Sequence, residues 1–136
     1  MTARDIWRYL LALFFVVAGV IHILAPAAFL RITPGWVPYP DQVILVTGAC
    51  EIVGALGVLI PQTRRLAGML LALYVVCVWP ANIKHAIDAL DGWSGLPPSY
   101  WYHLPRQFLQ PVIFWWALYV TNVTDWPFAR PTNQVR

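Results

Sequence analysis

Eight polar residues set the chemistry open to this chain: His22, Glu51, Asn82, His85, His103, Arg106, Gln107 and Gln110. Glu51 is the most demanding of them. It lies near the middle of an eighteen-residue run, Val43 to Ile60, that holds no other charge. A carboxylate at such a depth in a bilayer costs on the order of 2 to 4 kcal/mol, which the apolar residues of the run offset at roughly 0.3 to 0.6 kcal/mol each. A side chain held at that cost is kept for a pairing or a function, and an acid beside imidazole or guanidinium suits proton transfer. Glu51 with His22 is therefore the candidate catalytic acid/base pair. Asn82, His85, His103, Arg106, Gln107 and Gln110 are the candidate ligand-binding groups.

The elements that must position them follow from composition. The chain has 136 residues, 60% hydrophobic and 11% charged. Tyr9 to Leu30, Val43 to Ile60, Leu66 to Ile83 and Gln107 to Thr124 are free of Lys, Arg, Asp and Glu, apart from Glu51. Each is long enough to cross a hydrocarbon layer of about 30 Å. The expectation is one integral membrane domain over 1–136, an all-α up-and-down bundle of four transmembrane helices at about 7–30, 43–60, 66–86 and 105–124. Arg4, Arg8, Arg64, Arg65, Arg130 and Arg136 fall on one side, and Arg31, Lys84 and Arg106 on the other, which places both termini in the cytoplasm. The short turn Pro61 to Arg65 makes the second and third helices antiparallel neighbours.

The outer connections differ in character. Phe29 to Gln42 carries Pro34, Trp36, Pro38, Tyr39 and Pro40; Asp91 to Pro105 carries Trp93, Pro97, Pro98, Tyr100, Trp101 and Tyr102. Such residues settle at headgroup level and discourage regular helix, so a semi-rigid aromatic cap is expected. Ala25-Pro26-Ala27 makes a poor cleavage site, so the first helix is expected to stay in the mature protein. A net charge of +3 without a basic stripe argues against nucleic acid as a partner. Asn122-Val123-Thr124 fits a glycosylation acceptor but falls at the cytoplasmic end.

By depth, all eight polar residues occupy the outer half of the bundle. Ala12, Phe15, Gly19, His22 and Pro26 share one helix face, and Gly48, Glu51, Gly54 and Gly57 another. Small residues mark close helix contact in membranes, so both stripes should face inwards. Pro80 should loosen the end of the third helix near Asn82 and His85. A polar pocket open to the outer leaflet is expected, with Glu51 at its floor and His22, Arg106 or His103 as its partner. In the plainer reading, Asn82 and Gln110 are interhelical glue, Lys84 and Arg31 reach to the headgroups, and His85 and His103 are solvated. Cys50 and Cys77 form no paired motif and read as buried thiols. No short-range ligand spacing supports a metal or a haem.

Gly19, His22, Pro26 and Phe29; Ile32-Thr33-Pro34 with Pro38; Gly48, Glu51-Ile52 and Gly54; Arg64-Arg65-Leu66-Ala67; Pro80-Ala81-Asn82-Ile83; and Leu104-Pro105 with Gln107 occur in that order. In this the chain resembles the DoxX family of small four-helix membrane proteins, grouped with the MauE-like proteins, and above all its compact bacterial branch. The resemblance covers Gly19 to about Trp116. Two departures stand out: the family pattern has Arg before the Leu-Pro pair, where this chain has His103, with Arg106 following, and Ile23 replaces an aromatic residue. The resemblance implies a bacterial inner-membrane protein near quinone or thiol redox chemistry.

Together these readings lead to one expected function and two alternatives. The first is a DoxX-like protein whose outer pocket binds a small apolar ligand, a quinone, accessory to a membrane redox complex. The second is a membrane enzyme using acid/base chemistry to isomerise or hydrolyse a lipophilic substrate. The third is a structural subunit of a larger membrane complex, its polar groups serving only helix packing and Trp115-Trp116 a contact surface, and a homo-oligomer is a further expected partner. Four helices without a repeat suit a transporter poorly.

Overall fold

The computed structural model describes residues 1–91 and 100–128, and within them the chain is helix and turn with no strand. Helix α1 spans Ala3–Leu24, α2 Pro26–Leu30, α3 Pro40–Leu59, α4 Arg64–Leu90 and α5 Tyr100–Val120. Three of them, α1, α3 and α4, are long and apolar enough to cross a membrane. The fourth long helix, α5, has 21 residues but carries Arg106, Gln107 and Gln110, with Pro105 and Pro111 inside it. The expected cap residues Trp93, Pro97 and Pro98, and the tail arginines Arg130 and Arg136, lie outside the described residues.

Local sequence explains most boundaries. At the start of α1, Thr2 and Asp5 form a capping box: the Thr2 amide donates to Asp5 Oδ2 at 2.8 Å and the Asp5 amide to Thr2 Oγ1 at 3.2 Å. The first apolar stretch is not one continuous helix. Pro26 lacks an N–H and disfavours helical backbone at Ala25, which sits at φ −130°, ψ 51°, so the chain breaks there and restarts as α2. Before α3, Tyr39 takes a left-handed conformation at φ 49°, a position that costs a β-carbon-bearing residue about 1 kcal/mol and turns the chain sharply into Pro40. Helix α4 continues through Pro80 to Leu90, and α5 begins at Tyr100, five residues ahead of the expected start. At 27 residues α4 is about 40 Å long, so it outreaches the hydrocarbon layer.

The helices form a ring: α1 packs on α3, α3 on α4, α4 on α5, and α5 returns to α1. Gly19 and Gly48 set the α1–α3 crossing. A β-carbon on Gly19 would stand 2.5 Å from the Gly48 carbonyl oxygen, and one on Gly48 would stand 2.9 Å from that of Gly19. The second small-residue stripe divides, since Gly54 and Gly57 face Leu71 and Ala67 of α4 instead. The closed core, including Leu11, Phe15, Val58, Leu71, Ala117 and Val120, fills the half of the bundle nearest the chain ends. Leu13, Val46, Val53, Leu73 and Phe108 are exposed around the outside, an apolar jacket suited to lipid.

Two arginines fasten that closed end. Arg8 is buried; its Nε donates to the Val120 carbonyl at 2.9 Å and its Nη1 to Asp5 Oδ1 at 2.5 Å. Arg4 reaches Asp125 Oδ1 at 2.6 Å, also bonds Asn122, and lies 4.3 Å over the Tyr119 ring. Arg4 and Arg8, in sequence only markers of charge asymmetry, thus join the start of α1 to the end of α5. Arg8→Met is expected to lower the unfolding free energy in detergent by about 2 kcal/mol, because a charge-assisted bond to a helix-terminal carbonyl is lost. Arg4→Met should lower it less, its partner Asp125 being exposed. Thermal unfolding of the two variants checks the order.

Candidate ligand-binding site

The half of the bundle away from the chain ends is hollow. A cavity of about 470 Å³ lies among all five helices and the turn after α2. Its walls are mostly apolar, from Phe14, Phe15, Phe29, Ile44, Val78 and Ile113, and its polar groups include Glu51, His22, Asn82, Arg106 and Gln110. A concave, largely apolar space with a few convergent polar groups is the usual form of a small-molecule site.

Glu51 is 4% exposed. Of its three expected partners, the nearest is His22, whose Nδ1 stands 2.9 Å from Glu51 Oε2. The same nitrogen is 3.0 Å from the Ala18 carbonyl oxygen and aligned on it, so Oε2 has close contact but no well-directed hydrogen bond. One ring nitrogen facing two oxygens can exchange them by a small rotation, which lets the pair take up or release a proton without moving a helix. Phe29 of α2 stacks on the imidazole, with centroids 3.8 Å apart and planes 22° off parallel. The break at Ala25 brings Phe29 back over His22 to do so.

A second polar group lies on the wall formed by α4 and α5. Arg106 donates from Nη2 to Asn82 Oδ1 at 2.9 Å, and its Nη1 lies 2.8 Å from His85 Nδ1. Gln107 donates to the Asn82 backbone carbonyl at 3.0 Å and accepts from Trp79 Nε1 at 3.0 Å, which locks the two helices together beside Pro80. Lys84 pairs with Asp88 one turn along α4.

The expected site residues therefore fall into three groups. His22, Glu51, Asn82, Arg106 and Gln110 line one cavity. His85 and Gln107 support that wall from behind. His103 is elsewhere: it is 3% exposed, edge-on to His85 with centroids 5.0 Å apart, and does not line the cavity, so it is buried where the sequence suggested a solvated ring. Cys50 and Cys77 are exposed and not the buried thiols expected, and Cys77 borders the cavity. No group of three or more His, Cys, Asp or Glu side chains suited to a metal occurs among the described residues.

Sequence reasoning missed Tyr74 and Thr47. The Tyr74 hydroxyl is turned towards Glu51 and Thr47, and both residues line the cavity. Their signal was present in the spacing: Tyr74 falls one turn after Leu71 on the inward face of α4, and Thr47 one turn before Glu51 on α3.

Fold and site together define an all-helical protein with membrane-capable helices and a half-packed, half-hollow interior. The chain belongs to the family described as a domain of unknown function (DUF8561), whose model matches residues 11–121 and so takes in the cavity and the closed core alike. Neither the comparison with curated proteins nor that with solved structures finds a match.

Proposed function

We propose that this chain is a four-span protein of a bacterial inner membrane, with both termini cytoplasmic, that binds a small apolar molecule with a polar head in a cavity open towards the outer leaflet. The observation that carries this reading is the cavity in which Glu51 and His22 meet at 2.9 Å beneath aromatic and aliphatic walls. The length of α5 and the Arg4 link between the two ends of the chain support four spans. The position of Arg4, Arg8, Arg64 and Arg65 at the end opposite the cavity supports the orientation. In its more specific form the protein is DoxX-like, its ligand is a quinone, and its role is accessory to a membrane redox complex.

Native mass spectrometry of the detergent-extracted protein tests this. A retained small apolar molecule is expected, and Glu51→Gln should keep the fold while weakening its retention about tenfold, the effect of one lost charge-assisted contact. Retention of nothing, or equal retention by the variant, would remove the proposal.

One observation favours a second reading, an acid/base enzyme acting on a lipophilic substrate. Tyr74 and His22 both lie beside the Glu51 carboxyl in the cavity. An acid flanked by two proton carriers is a competent donor or base. Conversion of a bound lipophile by the wild type, but not by Glu51→Gln, would select it.

A further inference from the structure

We infer that the wall formed by α4 and α5 is an anion subsite, and that the ligand's head is a monoanion offering two oxygens, a carboxylate or a phosphodiester, on an apolar chain. The inference rests on the cavity being the ligand site. Three observations carry it.

Arg106 is held by neutral acceptors. Its two terminal nitrogens meet Asn82 Oδ1 and His85 Nδ1, while the Tyr102 ring lies 5.1 Å from the guanidinium carbon. Among the described residues no carboxylate pairs with it, for the ion pairs are Arg4–Asp125, Arg8–Asp5, His22–Glu51 and Lys84–Asp88. A guanidinium has five N–H donors in a planar fork, and these two contacts leave three. A fixed, partly buried cation at membrane depth is stabilised by a counter-anion, and the fork matches two coplanar oxygens.

Gln110 is the second observation. It is 8% exposed, follows Arg106 by four residues on the same face of α5, and lines the same cavity. Its side-chain amide borders the cavity, where it has both a donor and an acceptor to offer a ligand head beside Arg106.

Charge is the third. Glu51 stands against His22, so of the charged side chains lining the cavity Arg106 alone has no oppositely charged partner among the described residues. The remaining walls, among them Ile44, Val78 and Ile113, suit a hydrocarbon chain. A quinone fits this subsite only if its ring carries an acidic hydroxyl.

The test is native mass spectrometry of the detergent-solubilised protein titrated with palmitate, methyl palmitate, dioleoyl phosphatidylglycerol and dioleoylglycerol. At least one anionic member should bind about tenfold or more above its neutral counterpart. Preference for palmitate identifies a carboxylate head, and preference for phosphatidylglycerol a phosphodiester. Arg106→Gln should abolish the preference, and Gln110→Leu should reduce it about threefold while keeping its sign. Equal binding of charged and neutral members would overturn the anion subsite and leave the cavity reading intact. Absence of binding by all four would overturn both. The wild-type comparison stands even where a variant fails to fold.

Discussion

Gly19→Val lowers the unfolding free energy by about 3 kcal/mol, at the upper end for overpacking, because the new side chain has no direction in which to yield. Its β-carbon would meet the Gly48 carbonyl oxygen at 2.5 Å, Ile52 Cγ1 at 2.8 Å and Glu51 Cβ at 3.2 Å. The Ile52 side chain can rotate away, but the carbonyl belongs to the helix backbone, so α1 and α3 must separate. Separation would also draw His22 from Glu51, since the His22 β-carbon lies only 2.8 Å from where a β-carbon on Gly48 would stand. Two losses are therefore expected together, stability by thermal unfolding in detergent and ligand retention by mass spectrometry. Gly35→Val is the control, having nothing within 4 Å, and should melt as the wild type does. Equal melting of the Gly19 and Gly35 variants would show that the crossing is looser than described.

His22→Leu has the next largest expected effect. It leaves the Glu51 carboxyl, 4% exposed, without the ring beside it, and a buried acid deprived of its partner costs about 3 kcal/mol. The double variant His22→Leu/Glu51→Leu should recover most of that loss, because two apolar side chains in an apolar setting leave no charge to solvate. A thermal double-mutant cycle measures the difference, with a coupling of about 2 kcal/mol expected. If the single and double variants lose stability equally, the 2.9 Å contact contributes nothing and the buried acid is held by something else.

Hydrophobic runs and small-residue spacing make much of this legible in the sequence. The apolar stretches located the long helices, and Gly19, His22, Gly48 and Glu51 on inward stripes announced the α1–α3 contact. Boundaries were less visible where proline was involved. Pro26 broke the first stretch, as its missing N–H and its effect on Ala25 allow, whereas Pro80, Pro105 and Pro111 sit inside helices because neighbouring helices hold the backbone in place. Spacing along one helix could place Arg106 and Gln110 on a common face, but the choice of partner depends on how far α4 and α5 approach. That approach gave Arg106 to Asn82 and His85, and left Glu51 to His22. Tyr74 was hidden for a related reason, since a tyrosine within an apolar run reads equally well as a lipid-facing ring.

The Arg4 and Arg8 contacts and the core around Phe15 and Val58 fasten one end of the bundle, while the other end encloses empty space. Such an object behaves like a pair of tweezers. Free energy of local opening follows packing density, so the tips flex while the joint stays shut. Widening of the tips leaves the Arg4 and Arg8 contacts and the core around Phe15 and Val58 untouched, so the fastened end holds its shape while the cavity end yields.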